Sequence, residues 1–263
     1  MGLLDGKVAV VLGASAPGGS GAAIARRFAA EGARLLVGAR NEGPLHDLAR
    51  ETGGLAMRCD VTNQDDVAAF IARAVDAYGR LDVGINAAGL PMGGTIADSS
   101  VEDARAAMEV NYFGCLHFIR YSAQAMTEGG SIVLFSSLAA AQPMEFVYSY
   151  GCAKAATDAL VRYAAAEYGP KGIKVNSIQP GPIRSDMASG LWEVAGMEDA
   201  YAREIPLRRI GEPDDYADAA LWLAGPSFVS GLNLPVSGGN QLTRMPYLSE
   251  RPDMTGDDPT NAS

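Results

Sequence analysis

Only three cysteines occur in the 263 residues, Cys59, Cys115 and Cys152, and an odd number without paired spacing makes neither a complete disulfide set nor a zinc site. That scarcity suits a reducing cytosol and gives no reason to expect a metal. Basic residues are also few, 21 Lys and Arg against 31 Asp and Glu, for a formal charge of −10. No basic run occurs, so a nucleic-acid-binding surface, which needs clustered Lys and Arg, is disfavoured. No apolar run approaches the length of a membrane span, and the opening Met1-Gly2-Leu3-Leu4-Asp5-Gly6-Lys7 lacks the apolar core of a secretory signal. The expectation is a soluble, cytoplasmic protein whose partners are neither membranes nor nucleic acid. Internal repeats and linkers are missing as well, and the length fits one large domain.

What remains is a globular, enzyme-like composition, 48% hydrophobic, with 31 glycines. Short apolar runs at residues 7–13, 34–39, 55–60, 81–86, 131–135, 173–178 and 231–236 read as strands. Helical patterns separate them, including one long stretch over 101–126 and another that carries Tyr150 and Lys154 to about residue 168. Strands alternating with helices at this spacing predict an α/β fold: a single-domain, Rossmann-like, doubly wound sheet of about seven parallel strands with helices on both faces. The catalytic domain is expected over 1–244, with a substrate lid around 185–205. Residues 245–263 read as a polar, acidic tail, with Pro246, Pro252 and Pro259 among Asp253, Asp257 and Asp258.

Ligands in such folds bind beyond the carboxyl ends of the strands, and the informative segments fall there. Gly13-Ala14-Ser15-Ala16-Pro17-Gly18-Gly19-Ser20-Gly21 follows the first strand and opens a helix, the context a dinucleotide fingerprint requires. An ordinary βα turn also collects glycine, so the position matters more than the composition. The second strand ends in Ala39-Arg40, without the carboxylate that would bond a ribose 2′-hydroxyl and repel a 2′-phosphate. NADP(H) is therefore favoured, with NAD(H) the alternative, unless Arg40 is a solvated surface charge.

Chemistry is suggested by the stretch from Ser136 to Lys154. Tyr150 and Lys154 lie at i and i+4 on one helix face, and of four lysines only this one has a tyrosine four residues before it. An ammonium beside a phenol stabilises phenolate, and such a phenol can exchange a proton with a carbonyl or alcohol oxygen as hydride moves. Ser137 arrives from the neighbouring strand end and could hold the substrate oxygen. Tyr148 is a rival phenol, but its i+4 partner is the uncharged Cys152.

At this point the sequence resembles the short-chain dehydrogenase/reductase family, over nearly the whole chain. Tyr150-Gly151-Cys152-Ala153-Lys154 matches the family's Tyr-x-x-x-Lys, and Ser137 stands where its serine does. Asn111-Tyr112-Phe113-Gly114 resembles the segment with its active-site asparagine, and Asn86-Ala87-Ala88-Gly89 its Asn-Asn-Ala-Gly element near the cofactor. Asp60-Val61 is similar to the pair beside the adenine, and Pro180-Gly181-Pro182-Ile183-Arg184-Ser185 to the segment meeting the nicotinamide end. The resemblance implies that Ser137 orients the carbonyl, Tyr150 is the acid/base, Lys154 favours the phenolate and bonds the ribose, and Asn111 holds a relay water. It also implies a homotetramer packed through the long helices from Val101 and Tyr148. Two departures stand out: the glycine turn is two residues longer than the family's, and Ser20 replaces an aliphatic residue.

The substrate is expected against Ser137, Met144, Tyr150, Met187 and Trp192, with Leu90 and Met92 nearby. That lining suits a hydrophobic ketone or secondary alcohol, cyclic or steroid-like. The competing non-enzymatic reading is a nucleotide-binding regulator on the same fold, which the intact Asn111, Ser137, Tyr150 and Lys154 disfavour. Epimerases and dehydratases usually carry a larger substrate domain than this chain has room for.

Overall fold

The first strand, β1 (Val8–Leu12), is five apolar residues, all buried, which requires cover on both faces. The computed structural model describes residues 2–252, apart from the side chains of Met187 and Leu248, and provides that cover. Six further strands are β2 (Arg34–Ala39), β3 (Leu55–Arg58), β4 (Val83–Asn86), β5 (Gly130–Phe135), β6 (Ile173–Pro180) and β7 (Asn233–Val236). They form one sheet in the order β3-β2-β1-β4-β5-β6-β7, and every neighbouring pair is parallel. Seven parallel strands with helices on both faces are the architecture the strand spacing predicts.

Helices α1 (Ser20–Ala30), α2 (Glu42–Thr52) and α3 (Gln64–Tyr78) connect the first four strands. One apolar cluster, around Phe28 and Tyr216, covers one face; the other, around Phe70 and Phe118, covers the opposite face. Local chemistry sets the helix ends. Asn63 accepts from the N–H groups of Asp65 and Asp66 at the start of α3, and Gly79 ends it in the left-handed conformation.

The long helix expected over 101–126 is broken. It consists of α4 (Val101–Met108), a π-helical turn (Glu109–Phe113) and α5 (Gly114–Ala125). A π turn inserts one extra residue without disturbing the apolar stripe on either side, so periodicity alone does not reveal it. Beyond it come α6 (Tyr148–Tyr168), α7 (Ser189–Trp192), α8 (Met197–Glu204) and α9 (Pro213–Ala224). The lid has its own small core, in which Met197, Tyr201 and Ile205 meet Leu138 and Met245. Residues 245–252 dock on the lid: Met245 is 7% exposed and the Arg251 guanidinium lies 5.2 Å from the Tyr201 ring centroid. The remainder of the expected tail, 253–263, lies outside the described residues. No helix among the described residues is long and apolar enough to cross a membrane.

Candidate active site

The sheet grows outward from β1 in both directions, toward β2 and toward β4, and a crevice opens where those directions part. It measures about 520 Å³ and gathers Gly13, Ser15, Arg40, Asp60, Val61, Ala87, Ala88 and Gly89 from the four strand ends. Asn41 also lines it, a residue the sequence reading passed over although it follows Arg40 directly. Gly13 has φ +89°, and a Cβ there would sit 2.4 Å from the Ala88 nitrogen, so only glycine lets these two turns touch. Gly19 caps α1, and Gly21 packs against the Gly13 carbonyl rather than lining the crevice. Asn86 is wholly buried, its side chain bonded to the Ala88 N–H at 3.0 Å and the Cys115 thiol at 3.6 Å.

At the far end, Asp60 accepts from the Thr62 N–H at 3.0 Å and hydroxyl at 2.8 Å. Burial opposes its ionisation, but Thr62, then Arg40 and Arg58, outweigh burial and hold the carboxyl below the usual range. Cys59, on the crevice floor, is the opposite case: burial and the neighbouring Asp66 and Asp60 push its thiol up to about 12, which leaves it inert.

The near end is built by α6 and the turn after β5. Gly151 permits this contact, because a Cβ there would lie 2.9 Å from the Ala139 carbonyl oxygen. Ser137 is extended, and its Oγ accepts from the Ala139 N–H at 3.1 Å. Lys154 is 1% exposed; its Nζ donates to the Phe135 carbonyl at 2.6 Å and lies 5.5 Å from the Tyr150 ring centroid. Asn111 occupies the π turn, fully buried. Its side chain donates to the Leu90 and Ala107 carbonyls, each at 3.0 Å, and accepts from the Leu90 N–H at 3.3 Å. Its own carbonyl accepts from the Thr157 hydroxyl at 2.6 Å. A Cβ on Gly89 would lie 3.4 Å from Asn111 Oδ1 and 3.5 Å from Lys154 Nζ, so Gly89 marks the point where crevice and Tyr/Lys face meet.

Ser185 lines a second hollow, of about 470 Å³, with Gly18, Asp186 and Trp192. There the Gly18 N–H donates to Asp186 at 2.9 Å, so the tip of the long glycine turn reaches the lid. Gly181 packs on Ser237, and the Ile183 carbonyl accepts from the Trp192 indole at 2.9 Å. Trp192 also packs edge-on against Tyr201, 5.3 Å between centroids, and Met144 borders the same lid core. The Met187 side chain lies outside the described residues. A larger hollow of about 670 Å³, between α8 and residues 249–252, contains none of the candidate residues.

The crevice fits an adenine dinucleotide. It offers a guanidinium and no strand-end carboxylate beside β2, a turn of small residues below α1, and a methyl-sized gap next to Lys154.

Comparison with known proteins agrees with this geometry. A family model described as enoyl-(acyl carrier protein) reductase matches residues 13–241. The 7alpha-hydroxysteroid dehydrogenase of Escherichia coli K12 is 37% identical over 245 residues, covering 90% of this chain and 94% of that protein. Among solved structures, a short-chain type dehydrogenase/reductase from Mycobacterium ulcerans superposes with a TM-score of 0.89 at 32% identity, covering 94% of each chain. A variant of actinorhodin polyketide ketoreductase, solved with NADPH, gives 0.83 at 30% identity, covering 92% of this chain and 99% of that one.

Proposed function

The chain belongs to the short-chain dehydrogenase/reductase family and is an oxidoreductase of NAD(P)(H) type; from that premise we propose that it interconverts a hydrophobic ketone and its secondary alcohol, with NADP(H) preferred. The observation that carries this reading is the buried Lys154 ammonium, pinned on the Phe135 carbonyl beneath the Tyr150 ring where the crevice ends.

In the reduction direction Ser137 donates a hydrogen bond to the substrate carbonyl oxygen and fixes its place. The nicotinamide, when bound, supplies the hydride to the carbonyl carbon. Tyr150 gives its phenolic proton to the oxygen as negative charge develops there. Lys154 stabilises the phenolate left behind and is held ready by Phe135, so no side-chain ordering is needed at that moment. Asn111 ties Leu90 to the π turn, keeps the wall beside Lys154 in place, and holds a water through which Tyr150 regains its proton from solvent. In oxidation the same groups act in reverse.

The NADP preference rests on Arg40 and Asn41 at the end of β2 without a carboxylate there. A cyclic or steroid-like substrate is supported by Leu90, bonded to Asn111, by Met144 beside the lid core, and by the hydroxysteroid activity in the E. coli relative's name. A homotetramer is supported by Phe113 and Tyr163, 38% and 77% exposed beside α5 and on α6. Light scattering tests it, and a monomer would remove it.

The decisive experiment assays a panel of cyclic ketones and alcohols with NADPH and NADH, then repeats it with Tyr150→Phe. The expected result is turnover that falls by about 10²–10⁴ in the variant while NADPH still binds. Turnover preserved in Tyr150→Phe would sink the mechanism. Cofactor binding without turnover of any substrate would favour the nucleotide-binding regulator.

A further inference from the structure

Asp158 lies one helical turn beyond Lys154 on α6, on the same face, and is only 7% exposed. None of the steps above uses it. Carboxylates are rarely buried without a partner of opposite charge at hydrogen-bond distance, and this one takes its hydrogen bond from a neutral amide. Its Oδ2 accepts from Gln179 Nε2 at 2.6 Å, and its backbone carbonyl accepts from Asn233 Nδ2 at 3.2 Å. The second carboxylate oxygen, Oδ1, is buried and has no hydrogen-bond partner among the described residues. The Ser136 hydroxyl makes only a long 3.4 Å contact to the Lys154 carbonyl and lies close enough to the Asp158 carboxyl to help offset its burial.

The positions of these partners matter. Gln179 is the penultimate residue of β6 and immediately precedes Pro180-Gly181. Ser136 immediately precedes Ser137. Lys154 is four residues before Asp158. One carboxyl thus joins three elements, β5, β6 and α6, each one residue or one turn from a group of the site. We propose that Asp158 is a positioning residue: through Gln179 and Ser136 it holds the substrate-orienting serine, the Tyr/Lys face and the nicotinamide-side segment in register.

Burial pushes the Asp158 carboxyl up, while Ser136, Gln179, Arg162 and Lys154 pull it back, so its role is hydrogen bonding more than charge. An amide of the same shape should therefore replace it. This inference rests on the reading of the site under Proposed function, and its test keeps the two separable.

The test compares wild type with Asp158→Ala, Asp158→Asn, Gln179→Leu and the Asp158→Ala/Gln179→Leu pair. Each is assayed well below its melting temperature, with NADPH affinity measured separately by fluorescence. Asp158→Ala and Gln179→Leu should each lower kcat by about 10-fold or more and weaken NADPH binding, since small displacements of positioned groups are costly. Asp158→Asn should restore both values to near wild type. The pair should be no worse than the poorer single variant, because both substitutions break the same contact.

A wild-type kcat and NADPH affinity in the Ala variant, with only a lowered melting temperature, would overturn the proposal. So would an Asn variant as impaired as the Ala variant, or additive losses in the pair. If Asp158→Ala does not fold, Gln179→Leu and Asp158→Asn decide the matter alone. Absence of wild-type turnover on every carbonyl would count against the oxidoreductase substrate reading instead, and the NADPH-affinity arm would still test Asp158.

Discussion

A single methyl group, added at either of two glycines, should separate folding from function. At Gly13 the backbone is left-handed, φ +89°, and the new Cβ would lie 2.4 Å from the Ala88 nitrogen. Left-handed strain costs about 1–2 kcal/mol, and forced overpacking about 1–3 kcal/mol more. With about 2–4 °C of melting temperature per kcal/mol at this size, Gly13→Ala should melt about 4–20 °C lower. At Gly89 φ is outside the left-handed region and the Cβ would meet only Asn111 Oδ1 at 3.4 Å and Lys154 Nζ at 3.5 Å, ordinary contacts. Removing glycine freedom from the unfolded chain there gains about 0.4–1 kcal/mol, so Gly89→Ala should melt at or slightly above wild type. Yet its methyl occupies the gap beside Lys154 where the ribose would sit. NADPH affinity, read by fluorescence titration, should fall by about 10-fold or more, equivalent to ~1.4 kcal/mol. Calorimetry and titration on the same two variants suffice. Unchanged NADPH binding in Gly89→Ala would refute the placement of the cofactor's nicotinamide end.

Three further outcomes follow from contacts already described or adjoining them. Arg40→Ala should lose about 10–100-fold in NADPH affinity, the value of a charge-assisted bond, while NADH binding stays constant; equal losses for both cofactors would remove the 2′-phosphate argument. Asp82, 6% exposed, resists the effect of burial and is held below the usual carboxyl range by Arg80, the Val8 N–H and Lys7. Its stabilisation is therefore present above the ordinary carboxyl pKa near 4 and is lost as pH falls through the lower folded value. Asp82→Asn should cost about 1–3 kcal/mol at pH 7, toward the lower end because Arg80 and Lys7 reach solvent. Urea titrations should show that gap narrowing below pH ~4, and a constant gap would refute the assignment. Asp186→Ala should speed NADPH release several-fold in stopped flow, because the lid loses its bond to Gly18; Asp186→Asn, which keeps an acceptor, should not.

The strand-end positions of the site were legible in the sequence because they are chain-local. A buried strand followed by Gly13, Arg40, Asp60 or Asn86 announces its own carboxyl end, and the i,i+4 spacing of Tyr150 and Lys154 follows from helix geometry alone. Features that depend on contacts across the fold were not legible. The π turn around Asn111 leaves the apolar periodicity of 101–126 nearly intact. The Gln179–Asp158 bond joins residues 21 apart on different elements, and no pattern in either segment predicts it. Trp192 is expected at the substrate, and the contacts it makes within the lid, its N–H donated to the Ile183 carbonyl and its ring T-shaped against Tyr201, follow from no pattern in its own segment. The Pro- and Asp-rich character of the C-terminal stretch likewise concealed Met245, one apolar residue that anchors the chain on the lid.

The order in which the strands join the sheet has a consequence during synthesis. β1 pairs with β2 on one side within the first forty residues, but its other edge waits for β4, whose residues Val83–Asn86 complete the register from Ala9 to Leu12. Between the end of β3 at Arg58 and the end of β4 at Asn86 a ribosome adds 28 residues, which takes about 1.5–6 s at ~5–20 residues per second. Throughout that interval the most apolar strand of the protein presents an open edge, the condition under which nascent chains pair with one another. The N-terminal third is therefore where a chaperone or a slowed ribosome would most change the yield of native protein.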